Sequence, residues 1–166
     1  MIILCPMKIS AAVIFLATLI EAASGCSKVS AAADAEKTAP LAAGPARPSL
    51  ENANYRAEMR SAGACRKGSP CAAEVLVEAK GEYHINDKYP YKFKLDDPPP
   101  AGLRFPKPIV GKEDATMDER KIALKVPFVS DSPGDKRVAG TLSFSVCSAG
   151  NCLMDKQALE VTVKVE

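Results

Sequence analysis

Leu142-Ser143-Phe144-Ser145-Val146-Cys147-Ser148-Ala149-Gly150-Asn151-Cys152 reads as a strand running into a tight turn. Leu142, Phe144 and Val146 alternate with Ser143 and Ser145, the two-residue period of a strand with one apolar face. Ser148 to Asn151 supply turn residues, and Cys152 begins a return strand. There Leu159, Val161, Val163 and Val165 alternate with Glu160, Thr162 and Lys164. Two cysteines flanking such a loop face each other across an antiparallel pair, where non-hydrogen-bonded partners bring Cα atoms about 4.5–5.5 Å apart, within disulfide range. By parity Cys147 points with Ser143 and Ser145, away from the main core, so a partner thiolate has access to it. The plain structural reading is a hairpin staple, whose small loop constrains the unfolded chain by only about 2 kcal/mol.

The same period recurs upstream. Val75, Val77 and Ala79 alternate with Leu76 and Glu78; Tyr89, Tyr91, Phe93 and Leu95 with Pro90, Lys92 and Lys94; and Ile122, Leu124, Val126 and Phe128 with Ala123, Lys125 and Pro127. A further strand is expected over residues 55–60. Turn clusters at 66–70, 96–102 and 130–134 separate these runs. One apolar and one polar face per strand is what two packed antiparallel sheets require. Residues 51–166 are therefore expected to form an all-β, immunoglobulin-like antiparallel β-sandwich of about seven strands. Residues 112–119 read as a polar loop, with at most one helical turn.

The chain has 166 residues, with 22 Lys and Arg, 20 Asp and Glu, and a net charge of +2. That balance excludes a dedicated nucleic-acid binder, which needs a concentrated basic face. Residues 1–25 read as a lipoprotein signal peptide: Lys8 opens a basic region, residues 9–20 are apolar, and Ala22-Ala23-Ser24-Gly25 precede Cys26. Cys26 is the expected lipidation site, the alternative being an ordinary signal peptide that leaves Cys26 free. Met7 is a second possible start. Residues 26–50 are an Ala/Pro-rich flexible linker, because Pro40, Pro45 and Pro48 forbid a continuous helix. The expected location is the cell envelope, facing the periplasm, on the outer membrane.

Export changes how the remaining cysteines read, since an oxidising compartment favours disulfides. With Cys5 removed and Cys26 lipidated, Cys65, Cys71, Cys147 and Cys152 remain, and four cysteines allow three connectivities. Local pairing is the simplest. Cys65 and Cys71 bracket the basic loop Arg66-Lys67-Gly68-Ser69-Pro70 and read as a structural disulfide closing an exposed loop. Their spacing and that of Cys147 and Cys152 do not match zinc knuckles, so no metal is expected. No glycine-rich phosphate loop is present and no cofactor is implied. His84 is the sole histidine and is expected to pack at the start of a strand beside Tyr83. Asp96-Asp97, before three prolines, read as a solvated turn.

Residues from about 81 to 165 resemble the N-terminal periplasmic domain of the thiol:disulfide interchange protein DsbD. The resemblance lies in Gly81-Glu82-Tyr83-His84-Ile85-Asn86, Gly102-Leu103-Arg104-Phe105-Pro106, Leu124-Lys125-Val126-Pro127, and the late pair Cys147 and Cys152 before a closing strand. It implies an immunoglobulin-like sandwich in which Cys147 and Cys152 are the redox pair. The implied partner is a periplasmic thioredoxin-like protein or a membrane thiol carrier. This chain departs from that family in three places: the spacing between the cysteines is one residue shorter, Leu153-Met154-Asp155 stand where Pro and an aromatic follow, and residues 108–120, the expected cap, have no aromatic. The function expected is thiol–disulfide exchange; the alternative is a non-catalytic envelope binding or structural lipoprotein whose disulfides are only staples.

Overall fold

The structure is a computed structural model and describes residues 44–166. Cys5, Met7, Cys26 and most of the expected linker lie outside the described residues. Eleven strands follow in order: β1 Ser49–Glu51, β2 Tyr55–Ser61, β3 Pro70–Ala79, β4 His84–Ile85, β5 Lys92–Leu95, β6 Leu103–Arg104, β7 Ile109–Gly111, β8 Ala115–Met117, β9 Lys121–Ser130, β10 Gly134–Cys147 and β11 Cys152–Val165. They form two antiparallel sheets. One runs β1-β2-β3-β9-β6 with β8 also on β9; the other runs β11-β10-β5-β7 with β4 also on β10.

The period-two residues meet between the sheets. Ala57, Val75, Val77, Ile122, Leu124 and Val126 come from the first sheet, and Phe93, Leu142, Phe144, Val146 and Leu159 from the second, all without measurable exposure. Each large apolar side chain so buried stabilises the fold by about 1.5–3 kcal/mol. Tyr55 stacks edge-on against Phe144 with ring centroids 4.7 Å apart, joining the sheets near the hairpin. Its hydroxyl donates to Asp155 of β11 and accepts from the Gln157 amide at 3.3 Å. Burial, followed by that carboxylate, pushes the Tyr55 hydroxyl well above the usual tyrosine range.

The expected all-β sandwich is present; the runs read by alternation are β3, β5, β9, β10 and β11, and the further strand expected over residues 55–60 is β2. The five further strands are two or three residues long, too short to carry a readable period. Residues 112–119, read as a loop, contain a 3₁₀ turn at Lys112–Asp114 and then β8 on β9. Sheet structure also starts before residue 51: Arg47 bridges to Leu159, and the Met59 amide donates to the Pro48 carbonyl at 2.8 Å.

Both disulfides are local, Cys65–Cys71 and Cys147–Cys152. The first closes the exposed basic loop, and its two cysteines are themselves buried. Cys65 and Cys71 are 2% and 7% exposed and belong to the hydrophobic core. Cys71 lies in β3 opposite Phe128 of the first sheet. The Cys65 carbonyl accepts the Glu166 amide at 2.9 Å, just past β11 of the second sheet. The bond therefore clasps the two sheets at one end, while the loop residues 66–70 between the cysteines face solvent.

Candidate functional site

β10 and β11 pair residue for residue from Gly134↔Val165 to Cys147↔Cys152. The turn beyond is closed by the Ser148 amide donating to the Asn151 carbonyl at 2.8 Å. The Asn151 side-chain oxygen accepts the Ser148 hydroxyl at 3.0 Å and the Tyr83 hydroxyl at 3.3 Å. The Cys147–Cys152 disulfide bridges the first strand pair below this turn, with Cα atoms 4.0 Å apart. It is absent from the hydrophobic core cluster that contains the other disulfide.

Sequence parity placed Cys147 on the open face beside Ser145, and this needs correction. Ser145 is fully buried and Cys147 only 6% exposed, whereas Cys152 is exposed. The reason is β4 and the turn after it. β4 pairs with the free side of β10 at Val146↔Ile85 and Cys147↔His84. The Asn86 amide donates to the Ser145 carbonyl at 3.3 Å, and the Asn86 side-chain amide lies 3.5 Å from the Ser145 hydroxyl. Access to the disulfide is therefore asymmetric, with Cys152 the open end and Cys147 the shielded one.

β4 is held from several sides. The Ile85 amide donates to the Glu119 carbonyl at 2.8 Å. The Arg120 guanidinium donates to the carbonyls of Gly81 and Tyr83 at 2.9 and 2.8 Å. Gly81 has φ +58°, a left-handed conformation that favours glycine at this turn. Tyr91 donates its hydroxyl to the Ser145 carbonyl and accepts the Asn86 amide at 3.1 Å. Burial pushes the Tyr91 hydroxyl up to about 12.

Residues 108–120 do not act as the expected cap. Val110 is buried in β7 on β5, Ile109 is half-exposed, and β8 lies on the other sheet. Met117, Asp118 and Glu119 line a shallow groove with His84, Ile85 and Asp87, and Arg120 and Lys112 reach the backbone carbonyls on either side of β4. The aromatic that reaches the turn is Tyr83, from a segment that sequence reasoning treated as a strand start. His84 does begin a strand, but its register opposite Cys147 had no local signal. Met154, on the same face as Cys152, is 70% exposed and offers an apolar contact beside the disulfide.

No family model matches this chain, and no curated protein matches it. Among solved structures, a cohesin module from Clostridium perfringens ATCC13124 family 33 glycoside hydrolase is similar over 69% of this chain and 98% of that one, at 12% identity and a TM-score of 0.37. A likeness at that score carries no argument about this chain.

Proposed function

We propose that this chain is a cell-envelope protein that exchanges thiols and disulfides with a thioredoxin-like partner or a membrane thiol carrier, through Cys147 and Cys152. The observation that carries the reading is the contrast between the two disulfides. Cys65–Cys71 is embedded in the core, whereas Cys147–Cys152 sits outside it at a hairpin tip with one exposed cysteine. The resemblance of residues 81–165 to the DsbD N-terminal domain supports the same pair. In this reading Cys26 carries lipid, and the residues between it and Arg47 tether the sandwich to the outer membrane on its periplasmic side. Intact mass of the membrane-extracted chain checks the lipid.

The exposure difference orders the chemistry. A partner thiolate attacks Cys152 Sγ, forming a mixed disulfide as the Cys147–Cys152 bond breaks, and the electron pair goes to Cys147 Sγ. The partner's second thiolate then attacks its own sulfur in the mixed disulfide and releases Cys152. The partner leaves as a disulfide and this pair as a dithiol. The reverse sequence passes both electrons to a second partner.

The burial of Cys147 favours the alternative, a non-catalytic envelope module whose disulfides are staples. Reduction potential and trapping decide between the two. Exchange requires a Cys147–Cys152 potential above about −300 mV, since structural disulfides in secreted proteins usually lie below it. Cys147→Ser should trap a mixed disulfide with a thioredoxin-like partner through Cys152, and Cys65→Ser should trap none. A potential well below that line, with unfolding on reduction, decides for the staple.

A further inference from the structure

We infer that His84 is the proton donor to the Cys147 sulfur, an assignment that rests on the exchange reading above. His84 lies directly opposite Cys147 on the side away from Cys152, so His84, Cys147 and Cys152 form one row on one face of the sheet. Directly opposed side chains in an antiparallel pair have Cβ atoms about 4.5–5.5 Å apart. At that spacing a side-chain rotation alone carries the ring to the Cys147 sulfur, with no change of backbone. β4 is anchored by bonds that leave this row untouched, from Ile85 to Glu119, from Arg120 to Gly81 and Tyr83, and from Asn86 to Tyr91.

The surroundings call for such a group. Cys147 is buried, so a thiolate released there loses hydration and needs a proton or a positive charge. Cys147 of β10 lies opposite His84 in register, and the groove beside the ring is lined by Asp87 from the turn after β4 and by Asp118 and Glu119 from the connection between β8 and β9. Lys112 donates to the Asp87 carbonyl, and the Asp118 carboxylate accepts the Arg120 and Lys121 amides. Glu82 and Tyr83 precede His84 in the chain, and the Arg120 guanidinium is engaged with the Gly81 and Tyr83 carbonyls. Acidic residues line the groove on one flank of the ring, and the sulfur that receives its proton lies on the other.

The step balances. Attack on Cys152 leaves an electron pair on Cys147 Sγ, and the imidazolium gives its proton to that sulfur, becoming neutral. On reoxidation the neutral ring takes the proton back, restoring the thiolate that attacks Cys152 in the mixed disulfide.

The experiment measures reduction of Cys147–Cys152 in the folded full chain by dithiothreitol, with rates normalised to the reagent's thiolate fraction. The normalised rate should fall as the pH rises through about 5 to 8, where imidazoles discharge. His84→Gln should be about tenfold slower at the acid end and lose that dependence. An unchanged profile in His84→Gln overturns the assignment while leaving exchange intact. A bond that never opens in the folded chain overturns the exchange reading itself, and this assignment with it. Should His84→Gln not fold, the ring NMR signals of the sole histidine decide: they should move on reduction, and unmoved signals overturn the assignment.

Discussion

Tyr91, 1% exposed, gives its hydroxyl proton to the carbonyl of Ser145, two residues before Cys147. The same oxygen accepts the Asn86 amide, two residues after His84. One phenol thus ties the strand bearing the buried cysteine to the strand bearing the histidine. Tyr91→Phe keeps the ring and removes both bonds, for an expected loss of about 1–3 kcal/mol in denaturant unfolding. Amide exchange at Ile85 should accelerate with it. Burial raises the Tyr91 hydroxyl to about 12. A raised tyrosine contributes stability that is complete below the unfolded value of about 10 and is lost as pH rises through the folded one. The wild-type chain should therefore lose stability between about pH 10 and 12, and Tyr91→Phe should lose less there.

Once reduced, the two cysteines of the hairpin should differ in reactivity. Cys152 is exposed and Cys147 is not. Iodoacetamide should label Cys152 faster in the folded reduced chain, by about tenfold or more given the dependence of thiol reactivity on access. Peptide mass spectrometry at short labelling times reads the ratio. Equal labelling would remove the order of attack assigned here.

The core disulfide should behave differently. Both bonds close similarly short loops, with sequence separations of 6 and 5, so loop closure contributes about 2 kcal/mol to each. Burial separates them. Replacing Cys65 and Cys71 together by Ala should cost that amount plus lost core packing, about 3–5 kcal/mol in all. Replacing Cys147 and Cys152 together should cost about 2 kcal/mol or less. Urea unfolding of the two double variants compares them directly.

Gly140 sits in the middle of β10, opposite Leu95 and Leu159. A Cβ there would lie 2.8 Å from the Phe93 ring and would also meet the Lys94 carbonyl oxygen. The neighbours are core ring and backbone, neither free to swing away. Gly140→Ala should therefore destabilise by about 1–3 kcal/mol, despite the usual gain from removing a glycine. Denaturant unfolding measures the change, and an unchanged midpoint would show that β10 and β5 can separate.

The sequence by itself determined the sheets. The alternation of Ile122 with Leu124 and of Leu142 with Phe144 is a local property, and burying one face of each strand leaves little choice but a sandwich. It also brought Cys147 opposite Cys152, because the register of a hairpin follows from its turn. Only the tertiary structure decided what lies on the other side of Cys147. His84 pairs there across a sequence separation that no periodicity spans, in a strand of two residues. Parity assigned Cys147 to the outer face, but parity says nothing about what covers that face, and β4 and its turn shield it. The same holds for Cys65, which closes an exposed loop yet is itself buried. Its burial follows from the chain end after β11 closing onto it, a contact between segments far apart in sequence. Local pattern fixes which face a side chain takes; long-range packing fixes whether that face meets solvent, and with it which sulfur a partner can reach.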